Sequence, residues 1–580
     1  MIGDLFRRKD LDSILAALKN ERFALKRTLG PLNVTLLGIG AIIGAGIFAT
    51  VGTAAAGDAS RPGAGPSLMI SFAITAGVAA LTAFCYAEMA SMVPISGSAY
   101  TYSYATMGEL VAWIIGWDLI IEYAVGNVAV AISWANYFRT FLQTAFGINV
   151  PAWLATDVRT AAKIPGLIEG APHLFGIPIV VNLLAFLIVM IITLVLVWGI
   201  KESASFNAGM VVVKIIVLLF FIGLALYFVS PGKMVHNWHP FQPRGWSGTL
   251  AGAAVVFFAY IGYDAVSTVA EETKNPSRDL PIGILASLAI CTLLYVVVAA
   301  VFTGMLPYEE LRQKLATEQA EPLTMALDYV APHATWAAAI VAFGSVVAHT
   351  AVLLVFQLGQ PRIFFSMARD GLLPPAFARV HPRFKTPYVP TILTGLAVGG
   401  VAAFASIDEM VDLTNIGTLF AFVLVCIGIP ILRYKDPDRR RPFRVPFGPW
   451  VVPVLGVVSC LFLMVYLPPA SWWRFVGWLA LGLSIYMSYG YTRSTLGRVA
   501  GRPERTPRSL KVGAVGMLAA SAGLFTLPHG RGLVDLFASA AAAETRPLVG
   551  LLLIVCGLGT AVVGIVTTRG HNTGPLPSSG

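Results

Sequence analysis

Charge is scarce in this chain. Of 580 residues only 12% are Asp, Glu, Lys or Arg, about half of the roughly 25% found in soluble domains. So little charge cannot cover a water-facing surface, and 57% of the residues are hydrophobic, which excludes an ordinary soluble globular protein. Cysteine is scarce too. Cys85, Cys291, Cys426, Cys460 and Cys556 stand singly in apolar runs, without metal-ligand spacing or the pairing pattern of a disulfide scaffold. No metal or other cofactor is indicated. HExxH pairs, phosphate-binding glycine-lysine loops and nucleophile–base pairs are missing, which argues against a membrane enzyme. The N-terminal stretch lacks the short apolar core and cleavage site of a secretory signal, and no sizeable soluble domain is expected at either end.

What the chain has in abundance is apolar length. Runs of about 20 residues, enough to cross the hydrocarbon core of a bilayer, recur at 33–56, 66–93, 109–142, 178–198, 204–230, 246–271, 280–305, 334–368, 388–405, 411–432, 450–468, 473–492, 512–527 and 547–568. They predict fourteen spans of a polytopic membrane protein. Lys and Arg mark cytoplasmic loops. With the N-terminus inside, inner segments hold 27 of the 40 basic residues and outer loops with their margins 11, while Lys214 and Arg362 lie deep within spans. Both termini are therefore expected in the cytoplasm, with the protein in a bacterial inner membrane or plasma membrane. The asymmetry accounts for the net charge of +10 without nucleic acid, and basic runs such as Arg439, Arg440 and Arg441 suit anionic lipid headgroups. Before the first span, Leu11, Ile14, Leu15, Leu18 and Leu25 among basic residues outline a short amphipathic interfacial helix.

Two spans are interrupted. Gly38 to Phe48 reads GIGAIIGAGIF, with four glycines where a spanning helix would carry Leu or Ile. Two readings compete: small residues permitting close helix packing, or an unwound segment that binds a polar solute, since irregular backbone survives in lipid only against protein or a water-filled cavity. The sixth span repeats the pattern, placing Gly262, Tyr263 and Asp264 in mid-membrane. Broken helices five spans apart are what an inverted repeat of five plus five helices produces, with the solute site between the breaks. The expected fold is all-α and LeuT-like. Spans 1–10 form a core over 31–433, four peripheral spans occupy 434–570, and a cytoplasmic N-terminal segment (1–30) and short tail (571–580) flank them.

Charges inside spans cost a few kcal/mol on insertion scales, so each asks for a partner or a function. Asp118 and Glu122 lie four apart on one face of the third span. Lys214 is deep in the fifth and Asp264 follows the break in the sixth. Lys214 has two readings, a structural ion pair with Glu122 or Asp264 or a proton carrier. Asp118 is expected to cap its helix or sit at the interface, and His349 to be a hydrogen-bonded interior histidine. Glu88, with Pro94 and Gly97, is expected to close an inner turn. Glu271, Glu272, Lys274 and Arg278 form either an ion-paired loop or a gate.

The segments IGAIIGAGIF, YAEMASMVPISGSAYTYSY, GWDLIIEYAVG, FFAYIGYDAVSTVAEETKNPSRDLPIGI and GQPRIFFSMARDGLLP together resemble the cationic amino acid transporter family of the amino acid, polyamine and organocation superfamily, from about Ala24 to about Arg433. The resemblance implies a secondary active transporter of L-amino acids. By it, backbone N–H groups of Gly44, Ala45 and Gly46 take the substrate carboxylate, and carbonyls at Ile42, Phe258, Ala259 and Ile261 take the amino group. Glu122, Asp264, Tyr295 and Phe356 line the side-chain pocket. Lys214 matches a lysine that stands in for a sodium ion in proton-linked relatives, which implies proton symport over exchange or facilitated diffusion. Ala45 lacks a hydroxyl that some relatives carry there, and Phe356 is bulkier than the residue of animal members. Cationic substrates (arginine, lysine, ornithine) and small neutral ones (alanine) therefore both stay open, and a non-transporting amino acid sensor is the alternative of another class. No motif assigns an accessory membrane subunit.

Overall fold

The computed structural model describes residues 5–9, 27–58, 61–93, 98–162, 164–199, 204–317, 321–499, 501–502, 506–526 and 553–562. The stretch from Leu11 to Leu25, Pro94, Gly97 and the tail after 570 lie outside these. Lipid offers backbone groups no partners, so a spanning chain satisfies them within helices. Among the described residues, strands are limited to two short antiparallel pairs, Gly57–Asp58 with Arg61–Pro62 and His173–Leu174 with Ile177–Pro178.

In chain order the principal helices are α1 (Pro31–Ile42), α2 (Val51–Ala56), α3 (Leu68–Met92), α4 (Glu109–Ile120), α5 (Gly126–Phe146), α6 (Leu183–Val197), α7 (Ala204–Phe228) and α8 (Gly245–Val256). They continue as α9 (Pro276–Met305), α10 (Thr335–Arg369), α11 (Tyr388–Ala402), α12 (Ile407–Lys435), α13 (Val451–Val465), α14 (Pro469–Ile485) and α15 (Arg508–Thr526), then α16 (Leu553–Val562). Wide turns join α1 to α2 through Gly46–Thr50 and α4 to α5 through Ile121–Val125. Among the described residues, eight helical runs are long and apolar enough to cross a membrane. The chain is thus a polytopic helical membrane protein. The remaining apolar runs each contain a helix, but α6, α11 and α16 are shorter, and α13 and α14 meet at a bend of 118°; any crossings beyond eight rest on these.

The two interrupted runs, Pro31–Ala56 and Gly245–Glu272, are almost wholly buried. α9 packs along α3 and α1, α10 along α5, and α7 along α10, so the outer helices wrap the broken pair. α1 stops where Ile43 turns extended at φ −75°, ψ 105°. After α8 a tight helical turn, Phe257–Tyr260, ends at an extended Ile261, and a second tight helix runs from Asp264 to Glu272.

The glycines explain how close the breaks come. A methyl group on Gly46 would overlap Ala259 Cα, and one on Gly262 would sit 2.8 Å from the Ala41 carbonyl carbon and oxygen. Gly262 also has φ +121°, a conformation that costs any other residue about 1–3 kcal/mol. Gly262→Ala should therefore lower the unfolding midpoint in detergent by several degrees. Gly77→Ala, in α3 with nothing within 4 Å of the added methyl, should leave it unchanged or raise it slightly. Equal effects of the two would show that the contact carries no energetic weight.

Candidate substrate site

A helix start leaves its first N–H groups without intrahelical acceptors, and a helix end leaves its last carbonyls without donors. The two breaks create both kinds of end in the middle of the molecule. On the N–H side are Gly44, Ala45 and Gly46, which open the turn where Ile47 N and Phe48 N bond back to Gly44 O at 3.2 and 3.3 Å. Ala45 is 1% exposed, and Gly44 is pressed against Val352 of α10.

The carbonyl side is already partly satisfied. Lys214 Nζ, on α7 and fully buried, donates to Gly40 O at 2.5 Å, placing a cation at the negative end of α1. Tyr295 OH donates to Ile42 O at 2.9 Å. Asn415 Nδ2 of α12 donates to Ala254 O and Val255 O at the end of α8. Tyr295, expected in the side-chain pocket, thus braces a backbone carbonyl, and Asn415 does the same with no cue in its sequence context. Phe258, Ala259 and Ile261 are buried, Ala259 directly against Gly46.

The acidic residues gather on the wide turn after α4. Glu122 and Asp264 are buried side by side, within reach of a hydrogen bond between their carboxyl groups. Asp264 also accepts from Tyr123 OH at 3.2 Å and Gly262 N at 3.3 Å. Tyr123 packs edge-on against Phe356 at 5.6 Å, and the Phe356 ring approaches Gly126. Glu122, Asp264 and Phe356 therefore meet through Tyr123, which sequence reasoning passed over. Among the described residues, Glu122 Oε2 and both side-chain amide atoms of Gln360 have no hydrogen-bond partner. Buried polar atoms of that kind are costly to leave unmet.

Three expectations change. Asp118 is no cap: it sits nine residues into α4, about 13 Å from its start, 1% exposed and with neither carboxylate oxygen hydrogen-bonded among the described residues. Glu88 does more than end a helix, since it accepts from Arg433 and from Val445 N at 2.6 Å and so pins the chain beyond α12 to α3. The runs after α12, expected as peripheral spans, are bonded directly to α4. Trp117 stacks on Trp478 at 4.7 Å, each indole donating to the other's backbone carbonyl, and Arg502 bonds Glu109 at 2.6 Å. α14 is thereby fastened along α4. His349 is hydrogen-bonded inside, to Ser133 Oγ and Ser345 O, as expected.

Both ends of the broken pair are closed by specific contacts. At the end carrying the N-terminus, Leu29 pairs with Thr273, Thr28 N and Leu29 N donate to Glu272 O, and Arg362 lies 4.0 Å from Glu272. At the opposite end Arg61 reaches Asp412 at 2.6 Å and Asp58 at 2.8 Å, and Thr53 bonds Asp408. Burial works against the charge on Arg61, but the carboxylates of Asp412, Asp58 and Asp408 outweigh it and hold its pKa above the ordinary value.

Comparison with known proteins shows the family. Residues 29–486 match the amino acid permease family. The chain is 46% identical over 496 residues to the branched-chain amino acid permease BcaP of Bacillus subtilis, covering 86% of this chain and all of that one. It is 44% identical over 497 residues to the methylthioribose transporter of the same organism, with the same coverage. It is 38% identical over 440 residues to the vacuolar cationic amino acid transporter 4 of Arabidopsis thaliana, covering 75% of this chain and 68% of that one. The chain belongs to the amino acid permease family of the amino acid, polyamine and organocation superfamily, and it is a transporter, not an enzyme.

The Arg61–Asp412 contact is testable by a double-mutant cycle. Arg61→Gln alone leaves Asp412 buried without its partner and should cost about 3–5 kcal/mol. The pair R61Q/D412N should recover about 1–3 kcal/mol of that, read as unfolding midpoints in detergent. Strictly additive midpoints would remove the latch from the account.

Proposed function

We propose that the chain is a proton-coupled amino acid symporter working by alternating access, selective for neutral aliphatic side chains. The observation that carries this reading is the apposition of the two breaks at Gly46 and Ala259. The N–H groups of one broken helix would then face the carbonyls of the other, a complement to the carboxylate and ammonium of an α-amino acid. In this reading Gly44, Ala45 and Gly46 hold the carboxylate. Phe258, Ala259 and Ile261, with Ile42 sharing its carbonyl with Tyr295, hold the amino group.

The side chain would extend towards Phe356, Tyr123 and Val352. Asp264 is already engaged by Tyr123 and Gly262, so this carboxylate is taken up within the protein, which favours a neutral substrate over arginine or lysine. The relative named as a branched-chain amino acid permease supports the same choice. For coupling, Lys214 holds the end of α1 through Gly40 O. A proton gained or lost there changes that hold, so protonation and the movement of α1 are linked. The bias of Lys and Arg places both termini in the cytoplasm of a cell membrane, with the Leu29–Thr273 joint as the inner gate and the Arg61 latch as the outer one.

Purified protein should be thermally stabilised by leucine, valine or alanine and not by arginine or lysine, because a ligand that binds only the folded state raises its apparent stability. Stabilisation by the cationic pair alone would overturn the selectivity. Phe356→Ala should weaken binding of a branched substrate roughly tenfold or more. In proteoliposomes, Lys214→Ala should abolish accumulation driven by a pH gradient while equilibrium exchange of labelled substrate persists. Full accumulation by that variant would remove Lys214 from coupling.

A further inference from the structure

The basic triplet after α12 is divided by the fold. Arg441 turns inward, donating to the carbonyls of Asp436, Pro437 and Arg439 and lying 3.6 Å from Glu88, while Arg439 pairs with Asp436 at 3.2 Å. Arg440 and Arg444 stay exposed. Between them Pro442 and Phe443 form one wall of a crevice of about 300 Å³. Its other wall is the start of α9, with Ser277, Arg278, Pro281, Ile282 and Leu285. Phe443 is held in place by stacking on Phe84, with ring planes 4° apart.

The crevice has an apolar floor that opens on the outer flank of the helices, where Ile282 is 40% exposed. Its rim is cationic: exposed Arg278 lines the α9 wall, and exposed Arg440 and Arg444 flank Pro442 and Phe443 along the chain. Most nearby carboxylates are already engaged. Glu88 is held by Arg433, Asp436 by Arg439, and Asp279 is buried and accepts from Asn275 N. The exposed acid of the loop, Asp438, is offset by exposed Lys435. A cationic rim over an apolar slot at the end of membrane helices matches a phospholipid whose headgroup carries net negative charge.

We propose that this crevice binds one anionic phospholipid, its phosphate held by Arg278, Arg440 and Arg444 and an acyl chain lying on Pro281, Ile282, Leu285 and Phe443. The proposal is independent of what the breaks bind. Because the crevice joins the start of α9, just beyond the Leu29–Thr273 joint, to the loop pinned by Glu88, an occupant ties those two segments together.

Native mass spectrometry of the purified full-length protein, titrated with phosphatidylglycerol and separately with phosphatidylcholine, tests the site. Wild type should bind phosphatidylglycerol more tightly. Each arginine near an anionic headgroup contributes about fivefold in affinity, so R278Q/R440Q/R444Q should lose on the order of 100-fold and bind the two lipids alike. A control triple of exposed residues elsewhere, R379Q/R383Q/K385Q, should lose less than about fivefold. Equal binding of the two lipids by wild type, a crevice triple within twofold of wild type, or an equal loss in the control triple would each overturn the proposal.

Discussion

Gly46 and Gly262 carry no side chain at the two points where the broken runs touch, and that backbone contact is the constraint on which the centre of the molecule depends. If either position carried a larger residue, the breaks would separate by the thickness of a side chain. Gly44 to Gly46 would no longer lie against the second break. Burying the ends of four half-helices is expensive unless each carbonyl and N–H finds a partner. The surrounding helices meet much of that cost, Lys214 on Gly40, Tyr295 on Ile42 and Asn415 on Ala254 and Val255. The proposed solute contacts are the N–H groups of Gly44 to Gly46 and the carbonyls at the second break.

The third run is the fixed wall of this arrangement. Trp113 and Trp117 fasten α4 to α14, and Glu109 anchors its start through Arg502, Tyr486 and Ser494. One turn beyond Asp118 the helix widens at Ile121–Val125, and that turn delivers Glu122 and Tyr123 to Asp264. The broken runs, by contrast, are tied at their ends by polar contacts that can exchange partners, Leu29 with Thr273 at one end and Arg61 with Asp412 at the other. A braced wall against separately latched half-helices suits the alternating access proposed above.

Both breaks and the eight long crossings were legible in the sequence, because glycine clusters and apolar length are local signals. Partners of the buried charges were not. Lys214 announced itself as a lysine deep in an apolar run, yet its acceptor is a backbone carbonyl 174 residues away, and any residue type at position 40 would supply one. Asp118, near one end of the run 109–142, reads as an interfacial cap on apolar length alone; the helix does start at Glu109, but Glu109 is itself buried and bonded to Arg502, so Asp118 lies deeper than the interface. The role of α14 was hidden for a related reason. Tryptophans in a membrane helix read equally well as an interfacial belt, and only the fold shows Trp478 stacked on Trp117.

The account stands on the two breaks holding both charged groups of an α-amino acid at once. The most direct measurement is thermal stabilisation of the purified protein by leucine set against analogues that lack one group each, 4-methylpentanoate without the amine and 3-methylbutylamine without the carboxylate. The account predicts that leucine stabilises and that neither analogue does at the same concentration. Stabilisation by the amine as strong as by leucine would contradict it, because Gly44 to Gly46 would then have no carboxylate to hold.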